Sequence, residues 1–98
     1  MKPDLHSLAE QVQDEDGFIG FLEALTTDRK EEVEIEARSP SSPYGPGANG
    51  WENDTIESFL AAAAAWAEGS KKGMPRYSPN KNPWARCATI LLMGKHYE

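Results

Sequence analysis

The sequence predicts a small all-α domain, in which three main helices and a short N-terminal helix form an orthogonal or bundle-like unit with one long Pro/Gly loop. Two observations indicate this class. Apolar residues recur at helical spacing in three segments, and a capping residue precedes each of these segments. The chain has 98 residues, of which 39% are apolar, and this predicts one core and a single domain, residues 1–98.

The first two helices are predicted behind aspartate caps. Asp4 can cap a short helix that ends at Gln11, and Asp14 can cap the second helix. Acidic residues follow Asp14 in the first turn, where the helix dipole favours negative charge. The second helix has an apolar stripe at i, i+3, i+4 and i+7, made of Phe18, Phe21, Leu22 and Leu25.

The end of the second helix is predicted from a change in its pattern. Residues 31–37 read EEVEIEA, in which apolar and acidic residues alternate with the period of a strand. A strand needs a partner, and no second segment of the sequence offers one. We therefore expect the helix to fray here into an extended edge.

The third helix has the clearest start. Residues 54–57 read DTIE, a D-x-x-E form of the capping box, and Gly69 is a natural stop. The apolar positions between them keep helical spacing: Ile56, Phe59, Leu60, Ala63, Trp66 and Ala67.

The fourth helix is predicted to begin with Asn82 as its cap and Pro83 in its first turn, where proline loses no hydrogen bond. Lys95 and His96 stand near its end, where the helix dipole favours cations. Its apolar stripe consists of Trp84, Cys87, Ala88, Leu91 and Leu92. We expect Trp84 and Cys87, like Trp66 of the third helix, to be core residues.

Residues 38–53 are predicted to form the long loop. Residues 45–50 read GPGANG, which has the spacing of a dinucleotide-binding fingerprint and of the first six places of a P-loop. Neither motif fits, because the next helix starts only near Asp54 and because Trp51 and Glu52 occupy the places of the P-loop lysine and hydroxyl residue. The remaining signal is a proline every three residues, the period of polyproline II, at Pro40, Pro43 and Pro46.

Trp51 at the end of this loop has two possible roles. It can fold back onto the core and, with Tyr44, pin the loop to its own domain. Alternatively, it can stand as an interface anchor, because tryptophan is enriched at binding hot spots.

The sequence offers little for catalysis. It contains no G-x-S-x-G or related nucleophile signature, and its histidines, His6 and His96, lie near opposite termini. His6 and Glu10 could share a helix face, but two ligands are a weak metal signal. We therefore predict no enzyme activity, no cofactor and no metal site, and a small metal-dependent hydrolase is the least favoured alternative.

The charge distribution predicts a protein partner. The net charge is −6, with a balance of −11 over residues 1–68 and of +5 over residues 69–98. We expect a non-enzymatic, acidic interaction domain, such as an immunity-type or regulatory binding protein, with a basic protein as its partner. The predicted surface combines the loop with the acidic residues before it: Tyr44, Asn49, Trp51, Glu32, Glu34 and Glu36.

The basic C-terminal third favours an alternative, the binding of single-stranded nucleic acid. Its basic residues are interleaved with the aromatic rings of Tyr77 and Trp84. The overall negative charge disfavours this reading, because it repels phosphate. The basic residues concerned are Lys71, Lys72, Arg76, Lys81, Arg86 and Lys95.

The sequence predicts a cytoplasmic protein that does not interact with membranes. No apolar run approaches the roughly 18 residues of a membrane span, and the first residues, MKPDLHSLAEQ, lack the apolar core of a signal peptide. One cysteine, Cys87, agrees with a reducing compartment.

Two segments carry a family resemblance. Residues 50–66 read GWENDTIESFLAAAAAW and residues 82–98 read NPWARCATILLMGKHYE; residues 21–25, FLEAL, fit as well. Through W-E-N, F-L…W and P-W…I-L…K-x-Y-E, the chain resembles a family of small bacterial proteins known only as a domain of unknown function. The resemblance implies a bacterial cytoplasmic domain and brings no catalytic residue.

Overall fold

Four helices make up the regular structure of the chain in a computed structural model that describes residues 4–43, 45–73 and 78–97. They are α1 (Leu5–Gln11), α2 (Glu15–Arg38), α3 (Ile56–Lys71) and α4 (Pro83–His96). The described residues contain no strand, so the predicted all-α class is confirmed.

Side-chain caps set the starts of the helices. Asp4 accepts a hydrogen bond from the backbone N–H of His6 at 3.1 Å, and Asp14 accepts one from Gly17 at 2.8 Å. Asn82 does the same for α4 through the N–H of Trp84 at 2.9 Å. These three predicted caps are confirmed, and each satisfies an N–H that the helix itself leaves without a partner.

The prediction for the ends of α3 was wrong by one or two residues. The capping box is formed by Thr55 and Ser58, which exchange hydrogen bonds between their hydroxyls and backbone N–H groups at 3.0 and 3.2 Å, and not by residues 54 and 57. The helix also continues past Gly69 to Lys71. The left-handed backbone that favours glycine lies further on, at Gly73 with φ of 87°.

The expected extended edge at residues 31–37 is also wrong. Helix α2 continues without a break through this segment to Arg38. The described residues offer no neighbouring strand with which an extended segment could pair. The helix instead directs carboxylates toward the loop that follows it, which uses them as hydrogen-bond acceptors.

Helix α4 is the centre of the packing, and it contacts each of the other three helices. The main core cluster combines apolar side chains of α1, α2 and α4 with Trp51 of the loop. Trp66 of α3 is buried, as predicted. The buried cluster residues are Leu5, Ala9, Val12, Phe21, Leu25, Trp51, Ala88 and Leu92.

The stripe predicted for α4 was only partly correct. Trp84 is 36% exposed and packs its ring against Phe18 at 5.6 Å, while Cys87 is exposed. Ala85 is buried instead. Gly94 lies about half a turn from Ala85 around the helix, and it lets α3 approach closely. The helix is therefore rotated away from the orientation that its largest apolar side chains suggest.

The close approach of α3 and α4 leads to a stability prediction. A Cβ atom at Gly94 would lie 2.9 Å from the carbonyl oxygen of Phe59 and 3.2 Å from the Cβ of Ala63. We expect Gly94→Ala to lower the free energy of unfolding by about 1–3 kcal/mol through overpacking, as measured by urea denaturation. Gly20→Ala in α2 is the matched control, since no atom lies within 4 Å of its added Cβ, and it should stabilise by about 0.5–1 kcal/mol. If the two variants unfolded at the same urea concentration, the result would contradict this close packing of α3 on α4.

Candidate functional site

The most unusual feature of the structure is the side of α2 that faces the loop of residues 39–55. Asp28, Glu32 and Glu36 follow one another at intervals of four residues, so they share one side of the helix. Carboxylates are seldom buried, but the Glu32 side chain is only 3% exposed. This arrangement requires hydrogen-bond donors from elsewhere in the chain.

Glu32 obtains its donors from the loop. One carboxylate oxygen accepts hydrogen bonds from the backbone N–H groups of Asn49, at 2.9 Å, and Trp51, at 3.2 Å. The other oxygen pairs with the guanidinium of Arg29 at 2.7 Å. Three donors thus compensate the loss of water around this buried charge.

Glu36 holds the first part of the same loop. Its two oxygens accept hydrogen bonds from the backbone N–H groups of Ser41, at 2.6 Å, and Ala48, at 2.9 Å. Hydrogen bonds from the Ser41 side chain, then from the Ser41 and Ala48 backbone, lower the pKa of Glu36. Because the folded-state pKa is lowered, this contribution to stability is complete above the ordinary pKa of a glutamate. It is lost as the pH falls through the lowered value.

Asp28 joins the loop to α4. Its Oδ2 accepts hydrogen bonds from the indole N–H of Trp51 at 2.9 Å and from the ammonium of Lys95 at 2.7 Å. Its backbone carbonyl accepts one from the Asn49 side chain at 2.9 Å. Lys95 is 5% exposed, so this is a largely buried ion pair whose carboxylate is shared with the indole.

The Trp51 ring lies between cations and an aromatic ring. The guanidinium of Arg29 and the ammonium of Lys95 lie 5.3 and 5.7 Å from its centroid, within the range of cation–π attraction. The ring of Phe59 packs against it at 5.7 Å. Trp51 is therefore a core residue, 7% exposed, as expected if it folds back onto the core and not if it is an interface anchor.

The end of the loop also caps α4. The amide of Asn53 donates to the carbonyl oxygens of Gly94 at 2.9 Å and Tyr97 at 2.8 Å, and the N–H of Glu52 donates to Lys95 at 2.9 Å. The last carbonyls of a helix have no partner within it, and these bonds satisfy those of Gly94 and Lys95.

The glycines of GPGANG have structural roles in this anchoring. A Cβ at Gly47 would overlap the carboxylate of Glu32, so a larger residue here would displace this carboxylate from its hydrogen bonds to the loop. Gly50 has a φ of 85°, which side chains disfavour, and its N–H closes a turn onto the carbonyl of Gly47 at 2.9 Å. The motif shapes the loop that delivers Trp51 to the core.

The six residues predicted as an interaction surface do not form one patch. Burial removes Trp51 and Glu32 from the surface, and Glu36 is bonded to the loop backbone. Asn49 is half-buried against α2, and Tyr44 lies outside the described residues. Glu34 is exposed, but a helix turns about 100° per residue, so Glu34 points away from the other two acidic residues.

A cleft of about 450 Å³ remains open between α2 and the loop. We call it the loop cleft. Its walls include the exposed side chain of Val33 and two of the three regularly spaced prolines, Pro43 and Pro46. Its charged lining consists of four carboxylates and one guanidinium: Glu32, Glu36, Glu52, Asp54 and Arg29.

The structure also brings together two residues that the sequence separates. The rings of His6 and His96 stack nearly parallel, with centroids 5.5 Å apart and an interplanar angle of 11°. They lie at a cleft of about 430 Å³ between α1, α2 and α4, which we call the histidine cleft. No local sequence pattern predicts this contact, because the two residues lie near opposite ends of the chain. Within the described ranges, no group of three or more His, Cys, Asp or Glu residues is placed to hold a metal ion.

The basic residues of the C-terminal third have mixed positions. Lys95 is buried against Asp28, and Arg86 lies over the Trp66 ring at 5.3 Å. Lys71, Lys72 and Lys81 are exposed. Arg76 and Tyr77 fall outside the described residues. Two of the six predicted nucleic-acid contacts are thus engaged inside the domain.

The fold and the site define a small all-α domain whose long loop is anchored by the carboxylates of its longest helix. The chain belongs to the family of unknown function DUF7660, whose model matches residues 14–98. The match covers α2, the loop, α3 and α4, whereas α1 precedes it. No curated protein and no solved structure matches the chain. None of the helices in the described part of the chain is long and apolar enough to span a membrane.

The anchoring of the loop predicts unequal effects for two neighbouring glutamates. Glu32→Ala leaves the N–H groups of Asn49 and Trp51 without their acceptor, so we expect it to lower the free energy of unfolding by about 3 kcal/mol. Glu34→Ala removes the same charge from an exposed position and should change it by less than about 0.5 kcal/mol. Chemical denaturation measures both values, and similar losses in the two variants would contradict a specific role for Glu32.

Proposed function

We propose that the domain is a non-enzymatic binding protein whose loop cleft accepts a basic, extended segment of another protein. The observation that carries this proposal is a preformed acidic cleft, one wall of which is the loop that Glu32 holds in place through hydrogen bonds to its backbone. We propose that the domain acts in the cytoplasm as an immunity-type or regulatory protein.

Charge is the first support for a basic partner. Among the charged groups of the loop cleft, Glu32 is buried and paired with Arg29, and the remaining three carboxylates leave an excess of negative charge: Glu36, Glu52 and Asp54. The sequence around it, residues 1–68, has a balance of −11. Such a field raises the rate of association with basic partners and disfavours acidic ones.

The fixed shape of the loop is the second support. Binding to a mobile loop would lose affinity through the ordering of that loop. Here Glu32 and Glu36 already hold four backbone N–H groups of the loop, so the cleft exists before a partner arrives. Val33, Pro43 and Pro46 offer apolar contact area beside the carboxylates. An extended chain with basic and small apolar side chains suits this surface.

A labelled arginine–serine peptide and a glutamate–serine peptide of equal length test this proposal by fluorescence anisotropy at low and at physiological salt. We expect saturable binding of the arginine peptide alone. Asp54→Lys, at the exposed edge of the loop cleft, should weaken this binding at least about tenfold.

Glu23→Lys is the control for this experiment, because it makes the same change in charge at an exposed position of α2 that does not line the loop cleft. It should weaken binding less than about threefold. Equal losses in the two variants would show attraction by net charge alone, and no saturable binding of the arginine peptide at low salt would overturn the proposed function.

A further inference from the structure

Helix α1 differs from the rest of the domain in how it is held. It has seven residues, which is too short for a stable helix in water, where about 12–15 are needed. It is therefore helical only while it is docked on α2 and α4. Buried apolar side chains provide this docking, namely Leu5, Ala9 and Val12.

Polar contacts fix α1 at its two ends. After the helix, the carbonyl of Gln13 accepts a hydrogen bond from the Asn82 side chain at 3.1 Å. At its start, the His6 ring stacks on His96, which stands in the last turn of α4. The bonds of Asp4 go to His6 and Ser7, within α1 and its cap, so they do not tie the helix to its neighbours.

Charged groups from every neighbouring element face the stacked rings. Asp4 comes from the cap of α1, Asp28 and Glu31 come from α2, and Lys95 comes from α4. Asp28 already binds Lys95 and Trp51, and the Glu31 carboxylate lies 3.4 Å from the Asn49 amide. Asp28 and Glu31 are thus engaged with other donors, whereas Asp4 bonds to the Ser7 hydroxyl and the N–H of His6 and keeps its negative charge near His6.

The surroundings of His96 favour its neutral form. Burial is the main reason that its pKa is lowered, followed by the positive charge of Lys95 and by the neighbouring His6. The Gly50 backbone and Asp28 act in the opposite direction with smaller effect. Protonation of both rings would place two like charges 5.5 Å apart, next to the Lys95 ammonium.

We propose that the His6–His96 stack is an acid-sensitive latch, which holds α1 in place when both rings are neutral and releases it in mildly acidic solution while α2, α3 and α4 stay folded. Release uncovers the apolar surface of α2 and α4 that α1 covers. This inference does not depend on the peptide partner proposed above, because it concerns a different cleft.

The direction of the pH dependence follows from the position of His96. The docked α1 places the His6 ring against His96, where it adds to the burial of His96 and brings a second histidine close, and both effects lower the pKa of His96. The released form therefore binds the proton more readily. The stabilisation by the latch is therefore complete above the ordinary histidine pKa. It is lost as the pH falls through that value toward the lowered one.

Amide hydrogen exchange of the full chain tests the latch. The N–H groups of Leu8 and Val12 report on α1, because they bond to the carbonyls of Asp4 at 2.9 Å and Ala9 at 3.3 Å. After correction for the intrinsic pH dependence of exchange, their protection should fall at least about tenfold between about pH 7.5 and about pH 5. Amides within α3 should lose less than about threefold over the same range.

Two variants connect this effect to the histidines. His96→Phe keeps an aromatic ring that cannot take a proton, so α1 should remain protected at about pH 5. His6→Phe leaves His96 in place but removes the second charge, and it should reduce the loss of protection; it also serves if His96→Phe does not fold. Unchanged α1 protection in the wild type at acid pH would overturn the proposal. An equal loss in all four helices, or the same loss in both variants as in the wild type, would overturn it as well.

Discussion

The carboxylate of Asp28 joins three parts of the chain that are distant in sequence: α2, the loop through the Trp51 indole, and α4 through Lys95. Removing one partner from a buried ion pair destabilises a protein by about 3–5 kcal/mol, because the other charge stays behind without compensation. Replacing both partners by apolar residues is often neutral. We infer that the pair determines where the loop and α4 sit on α2 more than it adds to the net stability.

This constraint explains why an acidic helix can form part of a core. Asp28, Glu32 and Glu36 together accept hydrogen bonds from one indole, one ammonium, one guanidinium and four backbone N–H groups. These bonds fix the loop at Ser41, Ala48, Asn49 and Trp51, so the loop has little freedom to move as a whole. The acidic residues that the sequence suggested as a surface for a partner are therefore largely occupied by the domain itself. The open loop cleft lies beside them.

The Asp28–Lys95 pair also lies between the two clefts of the domain. Both residues line the histidine cleft, and both contact Trp51, which lines the loop cleft. Lys95 is next to His96 in α4, so a change in the charge of the histidine pair acts on the same ammonium that positions Asp28. The proposed latch and the loop therefore both adjoin the same ion pair, Asp28–Lys95.

The features that the sequence predicted correctly depend on nearby residues. The caps at Asp4, Asp14 and Asn82 act on N–H groups two or three residues away, so a local pattern identifies them. Other features depend on residues that are distant in the sequence, so a local pattern could not predict them. The segment EEVEIEA is helical, and its Glu32 and Glu36 bond to the backbone of the loop that follows it; Glu32 reaches a residue 17 positions away.

The same limit applies to α4 and to the histidine pair. Periodicity shows that α4 has an apolar side, but it does not show that Ala85 is buried while Trp84 is 36% exposed, because this depends on how the neighbouring helices pack around α4. No periodic pattern connects His6 with His96. The role of Trp51 could not be decided from the sequence, because a tryptophan in a loop suits a core and an interface equally well. The hydrogen bond from its indole N–H to Asp28 decides for the core.

The exchange of indole N–H protons, followed by nuclear magnetic resonance, tests the anchoring of the loop most directly. The Trp51 indole is bonded to Asp28 in the core, whereas the Trp84 side chain is 36% exposed and serves as the reference within the same molecule. We expect the Trp51 indole proton to exchange at least about a hundredfold more slowly than that of Trp84. Exchange of both protons at the same rate would contradict it, because the loop would then open as freely as the surface.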